Sequence, residues 1–374
     1  MSTTPVAIDL EGPAGRTPPG VVPHLINSSE DQKWYYVGVV TCLVIAGIFV
    51  VLRFYTKLRI IRRTDLSDWS VTLAYILLCV FVAIGYQYKK SGGGVHQWNV
   101  QLKNMIKILY WLNADEALYG VIVFLIKFTI LHQYLRIFAP VRQINPVMFF
   151  GASSLILLNG IFYTIATFLT IFACSPREKI WDPFIVGGHC MDYNALITTA
   201  AAFNIWSDTM ILILPIRSIW KLRIPIRKKI CIVLLLGLGL VTCVASAIML
   251  VFVFRLNNKE DITYNTLWLG LTCCAEMTLG IIVSCIITLP KLGEARSKNF
   301  RIVLSKVFKP SIKSETRTAT EAVGNNTPNL FLPNISQSQA CVISFLAERN
   351  DAYSASMAPK EDSSEDRREG AVMV

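Results

Sequence analysis

The chain has 374 residues, 53% of them hydrophobic and 16% charged, with a mean hydropathy of +0.48 and a net charge of +11. A soluble chain averages about 25% charged residues, so the shortfall argues for contact with lipid rather than water. The positive balance would suit nucleic acid, but the basic residues stand in the connections between apolar stretches, and no nucleic-acid partner is expected.

Seven apolar stretches order the chain, at 34–54, 69–88, 108–137, 147–172, 194–216, 230–254 and 264–289. Each reaches the roughly 20 residues that a helix needs to cross about 30 Å of hydrocarbon. The second, fourth and sixth contain no Asp, Glu, Lys or Arg, which a soluble core helix of that length rarely manages. The expected fold is all-α: a seven-helix bundle over 34–290 whose first partner is the lipid bilayer.

Residues 1–33 form a segment ahead of the first span. They contain Pro and acidic residues rather than a basic head and apolar run, so no cleavable leader is read and the first span should serve as its own insertion signal. Asn27-Ser28-Ser29 is a glycosylation sequon. The connections 53–63, 136–146, 217–229 and 290–317 carry 21 Lys and Arg, against 10 in the segments of the opposite side. The positive-inside rule then predicts an outer N-terminus and a cytosolic C-terminus. Lys89, Lys90, Lys103 and Lys107 run against that pattern.

Ionisable groups at membrane depth are costly and usually functional. The third span holds Lys127, with Asp115 and Glu116 near its outer end. The fifth holds Asn204 and Asp208, and the seventh Glu276. Lys127 and Asp208 stand 10 and 8 residues from the inner ends of their spans. At 1.5 Å per residue they reach the same level, which predicts an ion pair, with Glu276 as the competing partner. Glu116, Gly120, Val123, Lys127 and Tyr134 share one helical face, which should look into the bundle.

Cys174 and Cys190 stand alone in the second outer connection, where an oxidising compartment favours a disulfide. The cysteines inside spans, such as Cys42 and Cys274, read as small apolar packing. Pro215 and Pro290 are expected to end spans five and seven. Gly239, Cys243 and Ala247 should form a close-packing stripe on span six. Arg217, Lys221, Arg223, Arg227, Lys228 and Lys229 crowd the connection between spans five and six, as a topology signal or a docking surface for a cytosolic signalling protein. Residues 291–312 read as a basic amphipathic helix on the inner leaflet, with Phe300, Val303, Leu304, Val307 and Phe308 on one face. Residues 313–374 read as a disordered cytosolic tail. His96, His132 and His189 lack metal-ligand spacing and no nucleophile motif appears, so neither a metal nor catalysis is expected.

Several stretches together resemble one family. They are Arg53 with the run to Ser67-Asp68-Trp69; Gly94-Val95-His96; Lys127 with Tyr134, Arg136 and Phe138; and Cys174-Ser175-Pro176 with Trp181 and Cys190. Further along come Asn204, Asp208 and Leu214-Pro215, Trp220 with Leu222, and Glu276 with Pro290. Over Trp34 to Leu292 the chain resembles the fungal rhodopsin-domain family, in which Asp-Asp-Trp is common where Ser67 departs. The resemblance implies a seven-helix fold shared with receptor-like proteins and with proteins encoded in mycotoxin and other secondary-metabolite gene clusters. Retinal proteins need a lysine in span seven; 264–289 has none, so no retinal is expected. Tyr134-Leu135-Arg136 stands where animal-type receptors have Asp-Arg-Tyr, and Asn-Pro-x-x-Tyr is missing from span seven.

Three readings of function follow. The favoured one is a receptor-like sensor in the plasma membrane, taking a small-molecule ligand. The second is a small-molecule transporter or exporter, although no internal repeat or pair of broken spans supports it. The third is a non-catalytic accessory protein of a biosynthetic cluster.

Overall fold

The computed structural model describes residues 10–15, 17, 19–20, 22, 30–139, 142–143, 145–219, 226–257 and 261–288; within these, the side chains at 30–31, 217–219, 226–235 and 255–257 are not described. Seven long helices make up the described chain. They are α1 (Glu30–Tyr55), continued by a π-turn (Thr56–Ile61), α2 (Leu66–Lys90), α3 (Leu102–Phe138), α4 (Pro146–Ile171), α5 (Tyr193–Ile219), α6 (Ile226–Asn257) and α7 (Ile262–Ile286). Asn27, Lys221, Arg223, the segment 291–312 and the tail 313–374 lie outside the described residues, as do the side chains of Arg217, Arg227, Lys228 and Lys229.

Local chemistry sets the helix starts. Asn145 accepts the Met148 N–H ahead of Pro146 at the first turn of α4, where the missing proline donor costs nothing. Asp68 accepts the Asp65 N–H (2.8 Å) at the start of α2. Asp192 accepts the N–H groups of Asn194 and Ala195 at the start of α5.

Each helix packs on its neighbour in sequence, and α1 closes the ring on α7. α3 also crosses the interior to touch α5 and α7. Six helices are long and apolar enough to cross a membrane. The exception is α3, which carries Asp115, Glu116 and Lys127 and turns them toward protein neighbours. Apolar side chains face outward instead, as with Leu157, Ile161, Ile165 and Phe168 along α4. A water-soluble protein does not leave such a continuous stripe uncovered; this is a multi-pass membrane protein.

Two local expectations fail. Pro215 does not end a span: it sits inside α5, which continues to Ile219. The ring removes one backbone hydrogen bond, a loss that helices packed in a bundle absorb. The small-residue stripe of α6 is only half right. Gly239 faces α5, where an added Cβ would lie 2.6 Å from Leu212 Cδ1, but Ala247 is exposed. A strict four-residue step drifts about 40° per turn. The face turned inward is Gly239, Thr242, Ser246, Met249 and Val253, with Ser246, Met249 and Val253 buried.

The connections at one end of the bundle are tied down. Cys174–Ser175 pairs antiparallel with His189–Cys190, and a disulfide joins Cys174 to Cys190. Gly188 adopts φ +76°, and a Cβ there would strike Ser175 O at 2.3 Å, so the hairpin requires glycine. Trp181 packs edge-on against Tyr110 of α3. His96 stacks between Trp98 and Tyr264 and pairs with Asp261, while Thr263 donates to Val95 O (2.7 Å).

Candidate functional site

The buried polar residues of five helices meet at one centre. Lys127 on α3 is buried and its Nζ lies 2.9 Å from Asp208 Oδ1 on α5. It also donates to Asn204 O (3.1 Å) and to Ser207 Oγ. Ser246 on α6 donates to the other Asp208 oxygen at 2.9 Å. The lysine's three donors and the aspartate's two oxygens are therefore matched, as a charge pair at this depth requires.

A second cluster adjoins the first through Asn204. Its side-chain nitrogen donates to Glu276 Oε1 (2.5 Å) on α7, and its side-chain oxygen accepts the Tyr163 hydroxyl (2.8 Å) from α4. Tyr119 on α3 donates to Glu276 Oε2 at 3.0 Å. The expected Lys127–Asp208 partners are thus brought together. Glu276 is held by Asn204 and Tyr119 rather than by the lysine. Glu116 stays out of this centre and accepts the Tyr193 hydroxyl instead.

Two cavities flank the centre. Toward the disulfide hairpin lies one of about 1140 Å³, its open mouth included, lined by Tyr35, Asp115, Glu116, Tyr119, Tyr163 and Met249 among others. Toward the opposite end lies one of about 600 Å³, its open mouth likewise included, lined by Lys127, Tyr134, Asp208, Gly239 and Glu276 among others. Tyr119 and Tyr163 form the floor of the first cavity and at the same time belong to the hydrogen-bonded centre. The inward face expected for α3 is the one that lines both.

Beyond the second cavity, a further ionic cluster closes the bundle. Arg53 is fully buried; its Nε and a terminal nitrogen bind Asp68 Oδ1 (2.9 and 2.6 Å). Its other terminal nitrogen donates to Ser284 O (2.5 Å). Lys57 binds Asp65 (2.5 Å) and Asp68 (3.0 Å), and Arg136 at the end of α3 also pairs with Asp65. Ser67, where the family pattern has Asp, accepts from Arg53 (3.1 Å).

Sequence reasoning did not find this cluster, although Arg53 and Asp68 both carried the resemblance. Its signal was a charge in the last turn of one apolar span with an acid in the first turn of the next. Tyr163 gave no signal, being one aromatic residue in a helix without charge. The arrangement does not fit a retinal: α7 offers no lysine, and Lys127 is fully engaged with α5.

An all-α bundle of membrane-crossing helices, closed around a buried polar centre, defines a class of multi-pass membrane protein. Residues 52–294 match the fungal rhodopsin domain, and the chain belongs to that family. It is 29% identical over 287 residues to a Gibberella zeae protein named Fugralins biosynthesis cluster protein 2, covering 76% of this chain and 71% of the relative. It is 34% identical over 247 residues to a SAT4 family membrane protein of Emericella nidulans, covering 65% of this chain and 61% of the relative. It is 23% identical over 246 residues to Receptor GIN3 of Arthrobotrys oligospora, covering 64% and 57%. No solved structure matches the chain.

Proposed function

We propose that the protein is a receptor-like sensor of a small metabolite, non-catalytic, with all seven helices spanning the plasma membrane, an outer N-terminus and a cytosolic C-terminus. One observation carries the reading: the floor of the larger cavity is hydrogen-bonded directly into the buried charge centre. A molecule that presses on Tyr119 or Tyr163 acts on Glu276 and Asn204, and through Asn204 and Ser207 on the Lys127–Asp208 pair. Binding in the outer half thereby biases the packing of α3, α5 and α7 toward the inner half. A ligand shifts such an equilibrium only by its differential affinity for the two packings, and the shared tyrosines supply that difference. The orientation is supported by the excess of Lys and Arg in the connections on the Arg53 side. The relatives named for biosynthesis clusters support a place beside a secondary-metabolite pathway, and the relative named as a receptor supports sensing.

The test is nucleotide-dependent capture of a Gα subunit by the protein in nanodiscs. Capture that a GTP analogue releases, and that changing Arg227, Lys228 and Lys229 to Gln abolishes, supports the reading. No capture across lipid and nucleotide conditions counts against it.

The second cavity favours a different reading, small-molecule transport. Two cavities with a charged layer between them resemble a path with a closed gate. Flux of a labelled metabolite across proteoliposomes, lost in Lys127→Met, would move the assignment to a transporter.

A further inference from the structure

We infer that the larger cavity takes an apolar molecule carrying one cationic amine, with the Asp115 carboxylate as its counter-ion. This rests on the reading of that cavity as a ligand site, and names the class of ligand.

Among the described residues, the lining contains two acids, Asp115 and Glu116, and no Lys, Arg or His. The two acids stand in different positions. Glu116 accepts the Tyr193 hydroxyl. Asp115 Oδ1 is buried and, among the described residues, has no hydrogen-bonding partner. Its other oxygen faces α2 at Gly85, where an added Cβ would lie 3.9 Å away. A carboxylate oxygen withdrawn from water without a partner is costly and calls for a cation or a donor.

Among the described residues no hydroxyl donates to Oδ1, although that of Tyr35 stands at the same Gly85 position as Oδ2, 3.2 Å from the added Cβ. Tyr88 donates to Thr263 O (3.0 Å), Tyr119 to Glu276 and Tyr163 to Asn204. Their rings remain, with that of Tyr35, around the cavity. Aromatic faces beside an unpaired acid are the surroundings an ammonium group prefers. The rest of the lining is mostly apolar, including Phe81, Leu112, Ile197 and Leu267, so the remainder of the ligand is apolar.

Two probes of one shape test this: naphthylmethylamine and naphthylmethanol. Their binding to the full chain in nanodiscs is read by saturation-transfer NMR, with empty nanodiscs subtracted. The amine should bind about tenfold more tightly than the alcohol. Asp115→Asn should level the two by weakening the amine alone, and unchanged alcohol binding shows that the variant is folded. Equal affinities in the unaltered protein, or an amine preference that survives Asp115→Asn, overturns the inference. Ala166→Phe, which puts a ring into the cavity, separates failure of the amine class from failure of the ligand site. If both probes bind without amine preference and Ala166→Phe abolishes both, the cavity is a ligand site and only the amine class is wrong. If neither probe binds, or Ala166→Phe changes nothing, the inference and the ligand-site reading fall together.

Discussion

Lys127 Nζ and Asp208 Oδ1 lie 2.9 Å apart, joining α3 to α5 through side chains that keep 4% and 13% of their exposure. Breaking such a pair leaves one charge uncompensated, at about 3–5 kcal/mol. Lys127→Asp and Asp208→Lys should each lower the melting temperature of the nanodisc protein and its monodisperse yield. The double exchange should recover much of the loss. A double variant no better than the singles would show that the pair does not hold the fold.

Arg53 makes a sharper demand on geometry. Its guanidinium reaches Asp68, Ser67 and the Ser284 carbonyl from one fixed plane. A lysine retains the charge but not the fork. Arg53→Lys should therefore destabilise by about 2 kcal/mol or more, since buried polar partners lose their donors. Chemical unfolding in mild detergent is the check, with Arg53→Lys expected nearer to Arg53→Gln than to the unaltered protein.

The Tyr163 hydroxyl is a single link to Asn204, whereas that of Tyr119 donates to Glu276 and accepts from the Asn204 side-chain nitrogen (3.2 Å), so removal of either leaves an oxygen unpaired. Tyr119→Phe orphans one side of Glu276, and Tyr163→Phe orphans the Asn204 carbonyl. Each should cost about 1–3 kcal/mol. Both hydroxyls share Asn204, Tyr163 as donor to it and Tyr119 as acceptor from it, so their effects should not add, and a double-mutant cycle should return a coupling of at least ~0.5 kcal/mol. Additive losses would mean that the centre is two separate sites.

The small residue at position 280 sets how closely α3 and α7 approach. A Cβ there would lie 2.6 Å from Ile126 Cγ2. Gly280→Ala should cost about 1–3 kcal/mol through overpacking, and Gly280→Ala with Ile126→Val should restore part of it. Thermal melting of the single and double variants tests this.

Cys174 and Cys190, which close the hairpin, stand 16 positions apart in the chain. Their cross-link should contribute about 3 kcal/mol in the chain-entropy model. Replacing both cysteines by Ser should speed limited proteolysis within 177–188. It should leave the Lys127–Asp208 region unaffected, as read by hydrogen exchange of α3 and α5.

How much of this was legible beforehand differs by element. The seven apolar runs gave the helices because lipid demands length and apolarity, both visible in one dimension. The Lys127–Asp208 pairing was legible because depth along a helix is arithmetic. The Arg53 cluster was not: it forms across the turn between α1 and α2 and draws in Ser284 from α7, and no periodicity encodes that meeting. The exposure of Ala247 escaped because a four-residue repeat mimics a face for only two turns. The cavity escaped altogether, since an absence of side chains leaves no pattern in the chain.

α3 makes polar contacts along its length: Asn113 with Thr170, Glu116 with Tyr193, Tyr119 with Glu276, Lys127 with Asp208 and Arg136 with Asp65. A rod gripped at five heights has a strict reading frame. Adding one residue between Tyr119 and Lys127 would turn everything below it by about 100° and slide it by about 1.5 Å. Lys127 and Arg136 would then miss their partners together while Asn113 and Glu116 kept theirs. Length changes should accordingly be rejected throughout this helix, whatever residue is inserted, whereas the 182–187 stretch of the hairpin should accept them.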